Sequence, residues 1–155
     1  MRLLVGIFLI SSAWAQNPGG PMIRTFASSA QIQALIANAK KIQKPGQPLV
    51  SQPILQLAPY TASLEYRTAV GPAAVHEKEA EMFYVIEGAG TLMTGGKLVD
   101  EKRSNAANLS GTAIEGGKSQ AVAAGDMMMV PENTPHWFSE IKGQLILMSI
   151  HLPRQ

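Results

Sequence analysis

Two stretches of this chain place residues that do chemistry at fixed spacing. The first runs His76-Glu77-Lys78-Glu79-Ala80-Glu81-Met82-Phe83-Tyr84-Val85-Ile86-Glu87-Gly88. The second runs Gly125-Asp126-Met127-Met128-Met129-Val130-Pro131-Glu132-Asn133-Thr134-Pro135-His136. Each sets an imidazole at the edge of a β-like run, and the first adds the Glu81 carboxylate. Two imidazoles and a carboxylate on neighbouring strands suit one divalent transition metal (Fe, Mn, Zn, Ni or Cu) with coordination positions left open. His76, Glu81 and His136 are therefore the candidate metal ligands. Alone, His76 reads as a surface residue in a charged turn, His136 as a turn cap, and Glu81 as a partner of Lys78 or Arg67. Their joint spacing favours ligation.

The elements that must hold these groups are short and β-rich. Candidate strands are 53–57, 62–70, 82–87, 90–94, 119–123, 127–130, 136–141 and 144–152, punctuated by glycines. Gly88-Ala89-Gly90 reads as a hairpin turn between two of them, and 100–118 as a polar excursion. Ahead of the strands, Ile32, Leu35, Ile36, Ala39 and Ile42 recur at helical spacing. Ser28 with Gln31 fits a capping box, Lys40, Lys41 and Lys44 suit the negative end, and Pro45-Gly46 stops the helix. Many short strands behind one amphipathic helix predict an all-β antiparallel barrel or double-sheet jelly roll.

At the motif residues the chain resembles a small single-domain cupin. His76, Glu81 and Gly88 satisfy H-x4-E-x6-G of the first cupin motif, and Gly125, Pro131 and His136 satisfy G-x5-P-x4-H of the second. The resemblance covers roughly 50–152. It implies a cupin-type jelly-roll barrel in which His76, Glu81 and His136 hold the metal. It also implies one of a wide range of activities: dioxygenase, isomerase, lyase, sugar-binding module, or none. The chain departs from the pattern at Ala74, where the first motif His would stand, at Thr68 for the leading Gly, and at Glu140 for the closing Asn. Asn133 replaces a Gly and keeps a residue that tolerates left-handed backbone.

Strand alternation would carry Glu140 to the side of His136, as a fourth ligand, a catalytic base or an orienting partner. His151 shares the parity of Leu147 and Ser149, but both parities there are largely apolar and leave its face open. Met127-Met128-Met129 offers thioethers, yet consecutive strand residues alternate, so core filling is the simpler reading. Tyr66, Arg67 and Tyr84 could meet an anionic ligand in the barrel or be ordinary strand residues. Trp137 and Phe138 suit the core or a dimer contact.

Residues 1–15 have a cationic start, a short apolar core and Ala13-Trp14-Ala15, the pattern of a cleaved signal peptide. Export to the periplasm or medium is therefore expected, with 16–46 as leader and helix and 47–155 as the barrel domain. From Gln16 onward 12 Lys+Arg oppose 11 Asp+Glu, no field to recruit nucleic acid or an anionic membrane. The chain has no Cys, so disulfides and thiolate chemistry are excluded. The leading expectation is an exported metal-binding cupin acting on a small polar ligand, carbonyl, carboxylate or sugar-like, with a homodimer as one assembly. A non-catalytic small-molecule-binding module and an envelope-associated structural protein are the competing readings.

Overall fold

The computed structural model describes residues 23–154; the expected signal peptide and most of the leader lie outside the described residues. One helix, α1 (Ser29–Ile42), precedes the strands β1 (Leu49–Leu57), β2 (Tyr60–Arg67), β3 (Ala73–His76), β4 (Glu79–Thr94), β5 (Lys97–Val99), β6 (Lys102–Asn105), β7 (Asn108–Gly111), β8 (Ala113–Glu115), β9 (Lys118–Ala123), β10 (Met127–Val130) and β11 (His136–Pro153). All pairings are antiparallel, and the architecture is the cupin-type jelly-roll barrel with one N-terminal helix.

Two long strands organise the barrel. The first half of β4 pairs with β10 and with the second half of β11, which in turn pairs with β2. The second half of β4 pairs with β9 and with the first half of β11, which also meets β3. Each long strand thus belongs to one sheet at one end and to the facing sheet at the other. The expected break at Gly88–Gly90 is therefore a bend within one strand, not a hairpin. β11 answers it with register shifts between Phe138 and Glu140 and between Ile141 and Leu145. The bend needs glycine: Gly88 has φ +89°, and a Cβ there would sit 2.0 Å from the Gln144 carbonyl oxygen.

Between the sheets pack Phe83, Val85, Leu92, Val122, Val130, Phe138, Leu145 and Leu147. Outside, α1 lays Ile32, Leu35, Ile36 and Ala39 against Val50, Ile54, Ala62, Leu64 and Ile146. The capping box forms as expected: Gln31 N donates to Ser28 Oγ at 3.3 Å, and Ser28 N to Gln31 Oε1 at 2.8 Å. Ile42, expected in the apolar stripe, is exposed in the last turn. β1 begins four residues earlier than expected, with Pro53 tolerated at a bulge on a sheet edge. The polar excursion 100–118 is a further correction, since it folds into β6, β7, β8 and the start of β9. β6 is exposed along its whole length and so carries no alternating pattern.

The bend yields a test. Gly88→Ala should lower unfolding free energy by roughly 3 kcal/mol or more, through both φ strain and backbone collision. Gly143→Ala, at φ +77° with open space around its Cβ, should cost only about 1 kcal/mol. Urea denaturation of the two variants measures the contrast, and equal losses would contradict it.

Candidate functional site

Glu81 opens the inner row of β4, followed by Phe83 and Val85, and is 4% exposed. Three imidazoles reach it from two strands. His76, at the end of β3, places Nε2 3.2 Å from Glu81 Oε2. His136, the first residue of β11, places Nε2 3.0 Å from the same oxygen. His151, paired directly with Glu81 across β11 and β4, places Nε2 3.5 Å from Oε1. Ser149 Oγ donates to Oε1 at 2.5 Å. The ring centroids of His76 and His136 are 5.2 Å apart, and those of His76 and His151 4.9 Å.

The far side of every ring is occupied. His76 Nδ1 lies 2.7 Å from Asn108 Oδ1, His136 Nδ1 3.1 Å from the Thr134 carbonyl oxygen, and His151 Nδ1 2.7 Å from Glu79 Oε1. All three partners are acceptors, so each Nδ1 carries a proton and donates it. In the neutral ring the Nε2 lone pair then faces the carboxylate, a repulsive arrangement unless a cation stands between them. Only a proton on Nε2 or a metal ion supplies that charge. A metal about 2.1 Å from each donor sets adjacent donors roughly 3.0–3.4 Å apart. The 3.0 and 3.2 Å contacts fall in that range and the 3.5 Å contact just outside it. The donor set of imidazoles and one carboxylate thus fits a divalent first-row ion. Among the described residues, the group whose donor atoms all lie within 4.8 Å of one another is His76, Glu81 and His151; His136 meets Glu81 but does not belong to that group.

Electrostatics agree. Burial works against the Glu81 anion, but hydrogen bonds from His136, His76 and Ser149, with the His136 charge, hold its carboxyl well below the usual carboxylate range. Burial by itself would lower His76. Its hydrogen bonds to Glu81 and Asn108, and the charges of Glu81 and Glu79, outweigh burial and hold it above the ordinary 6.5.

The structure brings His76, Glu81 and His136 together, and adds His151. It does not bring Glu140 to them. The shift between Phe138 and Glu140 inverts the alternation, and Glu140 is exposed, accepting a hydrogen bond from Thr91 Oγ1 at 2.8 Å. Alternation alone had placed it inside. Arg67 lies inward, donating through Nε and Nη2 to Glu65 Oε2 at 2.9 and 2.6 Å, with its guanidinium 4.8 Å from the Phe138 ring centre. Tyr66 packs outward beneath α1, and Tyr84 lines an outer concavity of about 250 Å³. Phe138 joins the core, while Trp137 donates Nε1–H to the Gly71 carbonyl at 2.8 Å. Asn133 adopts φ 55°, as its replacement of glycine requires, and its N–H reaches the His76 carbonyl oxygen at 2.7 Å. That bond ties the β10–β11 turn to the strand end that carries His76.

Glu79, Asn108 and Ser149 were not foreseen. The available signal was Ser149, a polar residue among apolar ones two positions before His151. It marks a polar face on the last strand.

The fold has relatives among solved structures. HppE in its iron(II) form superposes with a TM-score of 0.53 at 18% identity over 72% of this chain, which spans 53% of the HppE chain. KdgF from Halomonas sp. gives 0.53 at 16% identity, covering 73% of this chain and 86% of that one. A cupin superfamily protein from Desulfitobacterium hafniense DCB-2 gives 0.50 at 14% identity, covering 75% and 87%. HppE is also known with cobalt(II). No protein-family model matches the chain, and no curated protein matches its sequence.

These pKa directions set a pH dependence for the metal-free protein. Glu81, lowered from 4.5, contributes stability that is present above pH 4.5 and lost as pH falls below it. His76, raised from 6.5, contributes stability that is present below 6.5 and lost as pH rises through its folded value. The melting temperature without metal should therefore be highest between pH 4.5 and 6.5 and decline on both sides. A scanning-calorimetry profile still rising above pH 6.5 would contradict this.

Proposed function

We propose that this chain is an exported cupin-fold protein that holds one divalent transition metal on His76, Glu81 and His151, with His136 beside the same carboxylate. There it binds a small polar ligand with a carbonyl, carboxylate or sugar-like oxygen. The observation that carries the reading is the commitment of all three Nδ1–H groups to acceptors while all three Nε2 atoms face Glu81. When bound, such a metal acts as a Lewis acid that polarises a ligand oxygen.

The residues divide the remaining work. Glu79 orients the His151 ring, Asn108 orients His76, and the Thr134 carbonyl fixes the His136 ring. Ser149 holds the Glu81 carboxylate in place. Ala74 pairs with His136 across β3 and β11 and offers no donor, so that side of the site takes its ligand from solution. Phe83 and Phe138, packed edge to face at 5.3 Å beyond His136, close the inner end against water. The iron(II) and cobalt(II) forms of HppE, a protein of similar fold, support a first-row metal here.

One observation favours a non-catalytic binding module. Glu140, the residue expected to serve as base, is outside the barrel. Under that reading the metal tethers a ligand without turning it over.

Elemental analysis and competition titration with Zn(II), Fe(II) and Co(II) test the proposal. His76→Ala, His151→Ala and Glu81→Gln should each abolish stoichiometric metal. Glu79→Gln should weaken binding roughly 10- to 100-fold, and Glu140→Gln should leave it unchanged. Full metal content in His76→Ala, with a normal melting curve, would refute the assignment.

A further inference from the structure

The methionines of β10 are not explained by packing. Only Met128 points inward, where it packs against the core cluster. Met127 and Met129 are 63% and 60% exposed. Burying a Met side chain is favourable, a gain these two forgo at positions where any polar residue would fit an exposed strand. The core-filling reading therefore holds for the middle methionine alone.

The register then gathers thioethers. Met127 and Met129 are two apart and share the outer face, and Met129 pairs directly with Met82 across β10 and β4. Met127 pairs with Tyr84, whose ring lies on the same face. Directly paired residues have Cβ atoms about 4.5–5.5 Å apart and diagonal ones about 7–8 Å. Methionine has three rotatable bonds beyond Cα, so the sulfurs of Met82, Met127 and Met129 can converge on one point above the sheet. Across β4, Met148 and Ile150 continue the row, but both pack into the cluster under α1 and are committed there.

The donor chemistry selects the ligand. Imidazole and carboxylate, which suit divalent ions, are gathered inside the barrel on Glu81. The β10–β4 pairs on the outer face offer only thioethers and a phenol ring. Neutral, polarisable sulfur prefers a soft monovalent ion such as Cu(I) or Ag(I) over Zn(II) or Fe(II), and the Tyr84 ring presents a face that attracts a cation. We propose that Met82, Met127 and Met129 form a surface thioether site for a soft monovalent metal, separate from the barrel site and built on the β10 edge strand.

The test uses the full chain labelled with ¹³C at the methionine methyl groups, titrated with Ag(I) under NMR observation. Cu(I) affinity is measured separately by anaerobic competition with a chromogenic chelator. One Ag(I) per chain should shift the methyl signals of Met82, Met127 and Met129 and leave Met93 in place. Met127→Leu with Met129→Leu should lose at least about tenfold in affinity, a difference of about 1.4 kcal/mol, while Zn(II) binding is unaffected. Because Ag(I) also takes imidazole, the titration is repeated in His76→Ala, where the methionine shifts should persist. Shifts confined to the His rings, one ion per two chains, or unchanged affinity in the double Leu variant would overturn the proposal.

Discussion

A carboxylate buried at the end of a hydrophobic barrel is the constraint from which the rest of this structure follows. Leaving such a group without a positive partner costs several kcal/mol, a large share of the roughly 5–15 kcal/mol that holds a domain together. Glu81 is sealed among three imidazoles and a hydroxyl, and among the described residues no buried side-chain polar atom lacks a partner. The cation that satisfies it is either a set of protons or a metal. Which one is present follows from pH and metal supply, because both compete for the same Nε2 lone pairs.

The fold exists in the form that delivers those imidazoles. β4 and β11 bend so that each contributes to both sheets, and the bend in β11 lets one strand supply His136 from one sheet and His151 from the other. Close approach at Gly88 and Gly90, where a Cβ would meet carbonyl oxygens of β11, keeps the two long strands in register through the bend. The short strands of 102–111 are more than decoration: β7 supplies Asn108, which fixes His76, and Arg103 of β6 holds Glu77 by two hydrogen bonds of 2.7 and 3.0 Å. Stability and site geometry are thus carried by the same contacts.

Much of this was legible from residue spacing. The helix with its capping box, the β-rich remainder and the trio His76, Glu81 and His136 follow from periodicity and motif, as does the left-handed backbone at Asn133. What escaped did so for physical reasons. Alternation fails across a bulge, so Glu140 faces outward although it lies four residues after His136. A strand buried on both faces has no polar side to read, which hid the inward turn of His151. An exposed edge strand such as β6 has no apolar side, which made 100–118 look like a loop. Glycines that permit a bend look like glycines that end a strand, so β4 and β11 each read as two elements. The missing imidazole at Ala74 could be noticed in the sequence, but the arrival of His151 beside Glu81 from the last strand is a tertiary fact, visible only once β11 is paired with β4.

The chemistry of this site depends on the direction in which three rings are wired. Long-range ¹H–¹⁵N correlation spectra of the zinc-loaded protein at neutral pH report the tautomer of each imidazole directly. The structure predicts a proton on Nδ1 and none on Nε2 for His76, His136 and His151 alike. Spectra showing Nε2–H tautomers on these rings, or rings unchanged by zinc, would contradict it.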